Sequence, residues 1–209
     1  MDKQIFQLDS LSKFEHRYAK YIKRVNLLLL SPLTKAMAFC RITPNEISLS
    51  QIPIAIAAIF IINDHPKLVC FLFFITVLLD GLDGVLARYT NNCSLFGKIL
   101  DQSCDHFKEA LMFVALILAK ILNPTWGLLY VFNHGVFNLV LYACNYFKTP
   151  LPFALKPSLI VYPLILVCLW GDKAWLIKWL NYIVIASTLL MSLVIIQGFV
   201  HLQRALSGK

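Results

Sequence analysis

The chain has 209 residues, 59% hydrophobic and 14% charged, with a mean hydropathy of +0.71. A soluble globular domain is about half apolar and about a quarter charged, so this composition excludes an ordinary soluble enzyme and fits an all-α polytopic membrane protein. The net charge of +8 does not indicate a nucleic-acid partner, because the basic residues form no stripe on a soluble fold.

The first 41 residues hold eight basic residues: Lys3, Lys13, Arg17, Lys20, Lys23, Arg24, Lys35 and Arg41. Ahead of a membrane span, such a cluster reads as a cytoplasmic segment facing anionic lipid. The polar opening lacks the early apolar core of a signal peptide. Residues 1–43 are expected to be an amphipathic juxtamembrane segment, with an interfacial helix over about 10–41. In that helix Lys20, Lys23 and Arg24 share a face, and Leu27, Leu28 and Leu29 begin an apolar stretch. "TPN" at 43–45 should end it, and Pro44 suits the first turn of the next helix.

Six transmembrane helices are predicted, over about 46–63, 67–88, 97–122, 126–147, 153–170 and 175–200. The breakers "NDHP", "NP", "KTP" and "GD" separate the spans from the second onward, apart from the polar turn after Tyr89. Residues 44–202 would form the membrane domain and 203–209 a short cytoplasmic tail. A cytoplasmic N-terminus puts Arg88, Lys98, Lys148, Lys156, Arg204 and Lys209 on the same side, against Lys67, Lys120, Lys173 and Lys178 opposite. This asymmetry predicts that both termini face the cytoplasm. Most of the six scattered cysteines lie in apolar runs and read as small buried hydrophobes.

Between the second and third spans the chain reads "DGLDGVLARYTNNCSLFGKILDQSCD", residues 80–105. Asp80, Asp83, Gly84 and Ala87 fall on one helical face, as do Gly97, Asp101 and Asp105 on the next helix. Two carboxylates from one helix can then face two from its neighbour, at the cytoplasmic end of the spans. Such groups are expensive in a membrane and repel one another. Arg88, the only cation between residues 80 and 97, cannot offset four charges. Protonation or bound cations must do so, and all-oxygen ligands suit magnesium, calcium or manganese rather than zinc or copper. Four carboxylates suffice for two ions that share ligands, an arrangement that clamps transferring phosphoryl groups. Gly84, Ala87 and Gly97 remove bulk from the same faces. Close helix packing would require this, and so would a pocket for a base or a diphosphate. Arg88 could meet phosphate or lie at the interface.

The pattern D-x-x-D-G-x-x-A-R, eight residues, G-x-x-x-D-x-x-x-D is matched without departure by Asp80, Asp83, Gly84, Ala87, Arg88, Gly97, Asp101 and Asp105. It resembles the signature of the CDP-alcohol phosphotransferase family of integral membrane enzymes. The six-span layout, the preceding amphipathic helix and "TPN" resemble the family too. The resemblance implies two divalent ions, Mg2+ or Mn2+, on Asp80, Asp83, Asp101 and Asp105. It implies that Asp105 is the general base for the acceptor hydroxyl, and that CMP leaves. Gly84, Ala87, Arg88 and Gly97 would receive the CDP-linked donor.

On this resemblance the expected reaction moves a phosphatidyl group from CDP-diacylglycerol to a small alcohol. The alternative within the family is CDP-choline or CDP-ethanolamine acting on diacylglycerol, and outside it a non-catalytic ion-binding membrane protein or transporter. The transporter reading has no broken-helix pair or inverted repeat behind it. Few basic residues follow Arg88 near the site, which leans away from a phosphorylated acceptor. Asn45, His106, His134 and Asn138 are candidates for acceptor contact or for support of the metal ligands. Hydrogen bonding between helices is their plainer role. Membrane lipid is the expected surrounding, the bacterial inner membrane rather than the endoplasmic reticulum, with a homodimer as the assembly.

Overall fold

The computed structural model describes Ser12, residues 27–171 and residues 173–207, and these form seven helices and no strand. They are α1 (Leu27–Phe39), α2 (Pro44–Ile61), α3 (Pro66–Tyr89), α4 (Leu95–Leu118), α5 (Pro124–Tyr146), α6 (Ser158–Gly171) and α7 (Ala174–Ser207). Each of the six stretches expected to span overlaps one helix of α2–α7, but only four of these helices have the length and apolarity of a span. Of the interfacial helix expected over 10–41, only α1 is described; the rest lies outside the described residues, Ser12 excepted.

Local chemistry sets the boundaries. Thr43 caps α2 in a reciprocal box: its hydroxyl accepts from the Glu46 amide at 3.3 Å, and the Glu46 carboxylate accepts from the Thr43 amide at 2.7 Å. Pro44, Pro66 and Pro124 stand in the first turns of their helices, where a missing N–H costs nothing. Ser94 and Asn123 cap α4 and α5 through their side chains. Four helices close with a left-handed residue, Arg41, Asn91, Lys120 or Lys148. In each case the next amide bonds back to a carbonyl five residues earlier, as Ile121 does to Leu116 at 2.9 Å. Three of the four are basic, which complements the negative end of the helix.

Four helices, α2, α3, α5 and α7, are long and apolar enough to cross a bilayer. The 24-residue α4 carries Lys98, Asp101, Asp105, Lys108 and Glu109, and α6 has only 14 residues. The outer surface is apolar, with Phe60, Phe71, Leu139, Trp170, Trp179 and Leu193 all exposed, as a chain surrounded by lipid requires.

Packing places α2 against the two aspartate helices, and α5–α7 against one another and against α3 and α4. Helix α2 lies along both α3 and α4, while α3 and α4 touch each other only lightly. The buried face of α2 is Pro44, Ile47, Ser48, Gln51, Ala55 and Ala58. A small apolar cluster of Ile47, Leu82 and Leu86, flanked by Leu30 and Met37, joins α1 to α2 and α3. The main core, around Phe73, Phe113, Tyr130, Phe137, Ile165 and Leu180, binds α3–α7 together. The pair α5–α7 is close: a Cβ on Gly198 would collide with Val140. Asn133 adds a 2.7 Å hydrogen bond to Ser192 across that pair. The Ser12 hydroxyl donates to the Ala154 carbonyl at 2.9 Å, which docks that point of the N-terminal segment on the loop before α6.

Candidate active site

The last turns of α3 and the first turns of α4 bring the aspartates together. Asp80, Asp101 and Asp105 each offer an oxygen within 4.8 Å of the other two. Asp83 is 4% exposed and its carboxylate accepts from Ser48 Oγ at 2.7 Å. It also lies against Asp101. The expected opposition of two helices is therefore present, with α2 as a shared wall.

The residues fit a hard divalent cation. The donors are all carboxylate oxygens, and Asp101 Oδ1 is buried without a hydrogen-bond partner. A buried acceptor of this kind is costly to leave unpaired. Asp80, Asp101 and Asp105 would hold the ion, and Asp83 stands beside them.

Ser48 and Gln51 were not singled out from the sequence, where Lys108 reads only as a cytoplasmic-side lysine, not as a partner of the aspartates. Lys108 is 3% exposed, and its ammonium donates to Asp105 Oδ1 at 2.8 Å and to Gln51 Oε1 at 2.6 Å. It lies 3.7 Å from Asp80 Oδ1. Arg88 is thus not the only nearby cation, although one ammonium still faces four carboxylates. Ser48 and Gln51, both buried on α2, supply the remaining polar contacts. Their signal was polarity at a three-residue spacing within the predicted first span, where buried polar groups tend to be functional.

The small residues divide. A Cβ on Gly84 would meet only the Arg88 guanidinium, at 3.5 Å, so that face is open and bounded by the Arg88 cation. Ala87 is half-buried one turn along and Arg88 is exposed. Gly97 sits more tightly: a Cβ there would come within 3.1 Å of Ser94 Oγ and 3.2 Å of Asn45 Oδ1. Asn45 is thereby placed against the start of α4. His106, His134 and Asn138 do not join the aspartates. They gather around Glu109, one turn further along α4.

With this geometry the chain can be set beside known proteins. Over 108 residues it is 26% identical to the phosphatidylinositol phosphate synthase of Corynebacterium glutamicum, covering 51% of this chain and 46% of that enzyme. Over 67 residues it is 34% identical to the CDP-diacylglycerol–inositol 3-phosphatidyltransferase of Saccharomyces cerevisiae, covering 32% of this chain and 30% of that enzyme. These matches span less than half of each relative. The fold resembles the phosphatidylinositol phosphate synthase of Mycobacterium tuberculosis, solved with manganese and citrate. The TM-score is 0.63 over 82% of this chain and 88% of that one, at 16% identity. The CDP-alcohol phosphatidyltransferase family profile matches residues 41–190, from the turn before α2 into α7, and the protein is a member of that family.

Proposed function

We propose that the protein transfers a phosphatidyl group from CDP-diacylglycerol to the hydroxyl of a small alcohol and releases CMP. The observation that carries this reading is the convergence of Asp80, Asp101 and Asp105 within 4.8 Å, beside a glycine face that is open over Gly84. Asp80, Asp83, Asp101 and Asp105 hold two divalent ions, Mg2+ or Mn2+. Bound there, the ions supply positive charge to the diphosphate and to the departing CMP.

The chain's own groups do the rest. Gly84 and Ala87 leave room for the nucleotide, and Arg88 closes over it toward phosphate. Asp105, 39% exposed and so able to reach substrate, accepts the proton of the acceptor hydroxyl. That oxygen bonds to the phosphorus bearing diacylglycerol as the bond from that phosphorus to CMP breaks. Lys108 holds Asp105 through its 2.8 Å contact and fixes its direction. Helices α2–α7 all cross the membrane, with the aspartates and the segment 1–43 at the cytoplasmic face. The charged α4 crosses because its Lys108 and Glu109 lie buried inside the bundle while Phe96, Phe107 and Leu118 face outward.

The test is an assay of purified protein with CDP-diacylglycerol or CDP-choline against a panel of alcohols, free and phosphorylated, scored by lipid product. Phosphatidyl product with equimolar CMP is expected from CDP-diacylglycerol. Product from CDP-choline and diacylglycerol alone would reverse the donor. Cation binding without lipid product from any pair would favour an ion-binding membrane protein.

A further inference from the structure

Glu109 is the most deeply buried carboxylate in the described part of the bundle, at 1% exposed, and the reaction above does not use it. Its Oε2 lies 3.9 Å from His106 Nδ1 and pairs with His134 Nδ1. One ring nitrogen from each histidine and one carboxylate oxygen lie within 4.8 Å of one another. Glu109 Oε2, His106 Nδ1 and His134 Nδ1 are all buried without a satisfactory hydrogen bond. Three lone-pair donors from two helices thus converge on one point.

We propose that His106, Glu109 and His134 bind a zinc-class divalent ion, at a site distinct in chemistry from the all-oxygen aspartate cluster. Two imidazoles and one carboxylate are a donor set that suits zinc and its neighbours better than magnesium or calcium. Three protein ligands leave a fourth position open.

The surroundings are those of a supported ligand set. Tyr162 donates its hydroxyl to the other Glu109 oxygen at 3.1 Å, which holds the carboxylate in place. Tyr130 stacks on His134, centroids 6.0 Å apart and planes 10° from parallel. Gly135 admits the His106 ring, since a Cβ there would stand 2.8 Å from its Nε2. Asn138 Nδ2 lies 3.3 Å from His134 Nε2 and 3.0 Å from the His134 carbonyl oxygen, and Asn138 Oδ1 is buried without a partner. Turning that amide over gives up the carbonyl bond but lets Oδ1 accept from His134 Nε2–H. That tautomer frees Nδ1 for the ion. At tetrahedral angles two atoms bound to one zinc ion stand about 3.4 Å apart, so the His106 nitrogen must draw in and the Glu109–His134 pair, now in direct contact, must part to admit the ion. His106, 40% exposed, has the freedom to draw in. The bound ion would tie α4 to α5 one turn from the aspartates.

The experiment uses the full chain in detergent carrying Asp80→Asn and Asp101→Asn, which disables the oxygen site. It is stripped with chelator, dialysed against zinc and assayed for metal by mass spectrometry, with cobalt(II) absorption as a probe of nitrogen ligation. One zinc per chain, nitrogen-type cobalt bands and a raised melting temperature are expected. His134→Ala or Glu109→Gln should abolish all three. His106→Ala, at a half-exposed ring, should weaken zinc binding at least about tenfold, and Asn138→Ala about 10–100-fold. The competing occupant is a proton shared by Glu109 and His134. No retained zinc, or zinc retained equally by the His106 and His134 variants, overturns the proposal.

Discussion

Asp105 and Lys108 form the contact on which the proposed reaction would turn, so the sharpest tests are single substitutions. Asp105→Asn keeps the shape and one oxygen ligand but cannot take a proton. Donor binding in the presence of metal should stay within about tenfold, roughly 1.4 kcal/mol. CMP release should fall by about 10² or more, the size of a lost general base. Both are measured on one preparation, and near-normal turnover would pass the role to another group. Lys108→Met removes the ammonium that lies 2.8 Å from Asp105 and 3.7 Å from Asp80. The four carboxylates then depend wholly on bound ions. The variant should melt earlier than the parent in chelator and recover most of the loss in excess Mg2+ or Mn2+; equal melting in chelator would count against this role. Gly84→Leu adds bulk where a Cβ meets only Arg88 at 3.5 Å. It should leave monodisperse, normally melting protein that no longer binds CDP-lipid. Normal binding would defeat the pocket, and an aggregated variant would make Gly84 a packing residue.

At the scale of elements, α2 is the organiser. It supplies Ser48 to Asp83 and Gln51 to Lys108, and it packs on both aspartate helices. Its direction is fixed at the Thr43 cap and Pro44. Thr43→Ala removes the acceptor for the Glu46 amide and should cost about 1 kcal/mol, read as a lower midpoint in thermal or denaturant unfolding. Thr43→Ser keeps the hydroxyl and should restore the midpoint. An unchanged midpoint for the alanine variant would show that packing alone positions α2. The 34 residues of α7 extend about 51 Å, well beyond a hydrocarbon core of about 30 Å. An α7 that crosses a bilayer must therefore tilt or project past it at one end.

For the whole molecule, metal binding and folding should be linked. An ion bound only by the folded bundle stabilises it by about 2.7 kcal/mol at a hundredfold excess over its Kd. The parent protein in excess chelator should melt at a lower temperature and release no CMP, and both should return on adding Mg2+ or Mn2+. Full activity in excess chelator would end the metal mechanism. The apolar exterior, with Phe60 76% and Leu193 65% exposed, requires detergent or lipid throughout.

The sequence by itself determined what depends on neighbours along one helix. The spacing of Asp80, Asp83 and Gly84, and of Gly97, Asp101 and Asp105, places each set on one face because an α-helix repeats every 3.6 residues. Thr43, Pro44, Pro66, Asn123 and Pro124 mark helix starts because caps and first-turn prolines act within one turn. Contacts between helices were decided only by tertiary structure. Lys108 reaches Gln51 across 57 residues and Ser48 reaches Asp83 across 35. His134 meets Glu109 from a different helix. Periodicity says which face of a helix is polar but not which other helix that face will meet. That choice follows from the shapes of whole apolar surfaces packing together, which no local window of sequence contains.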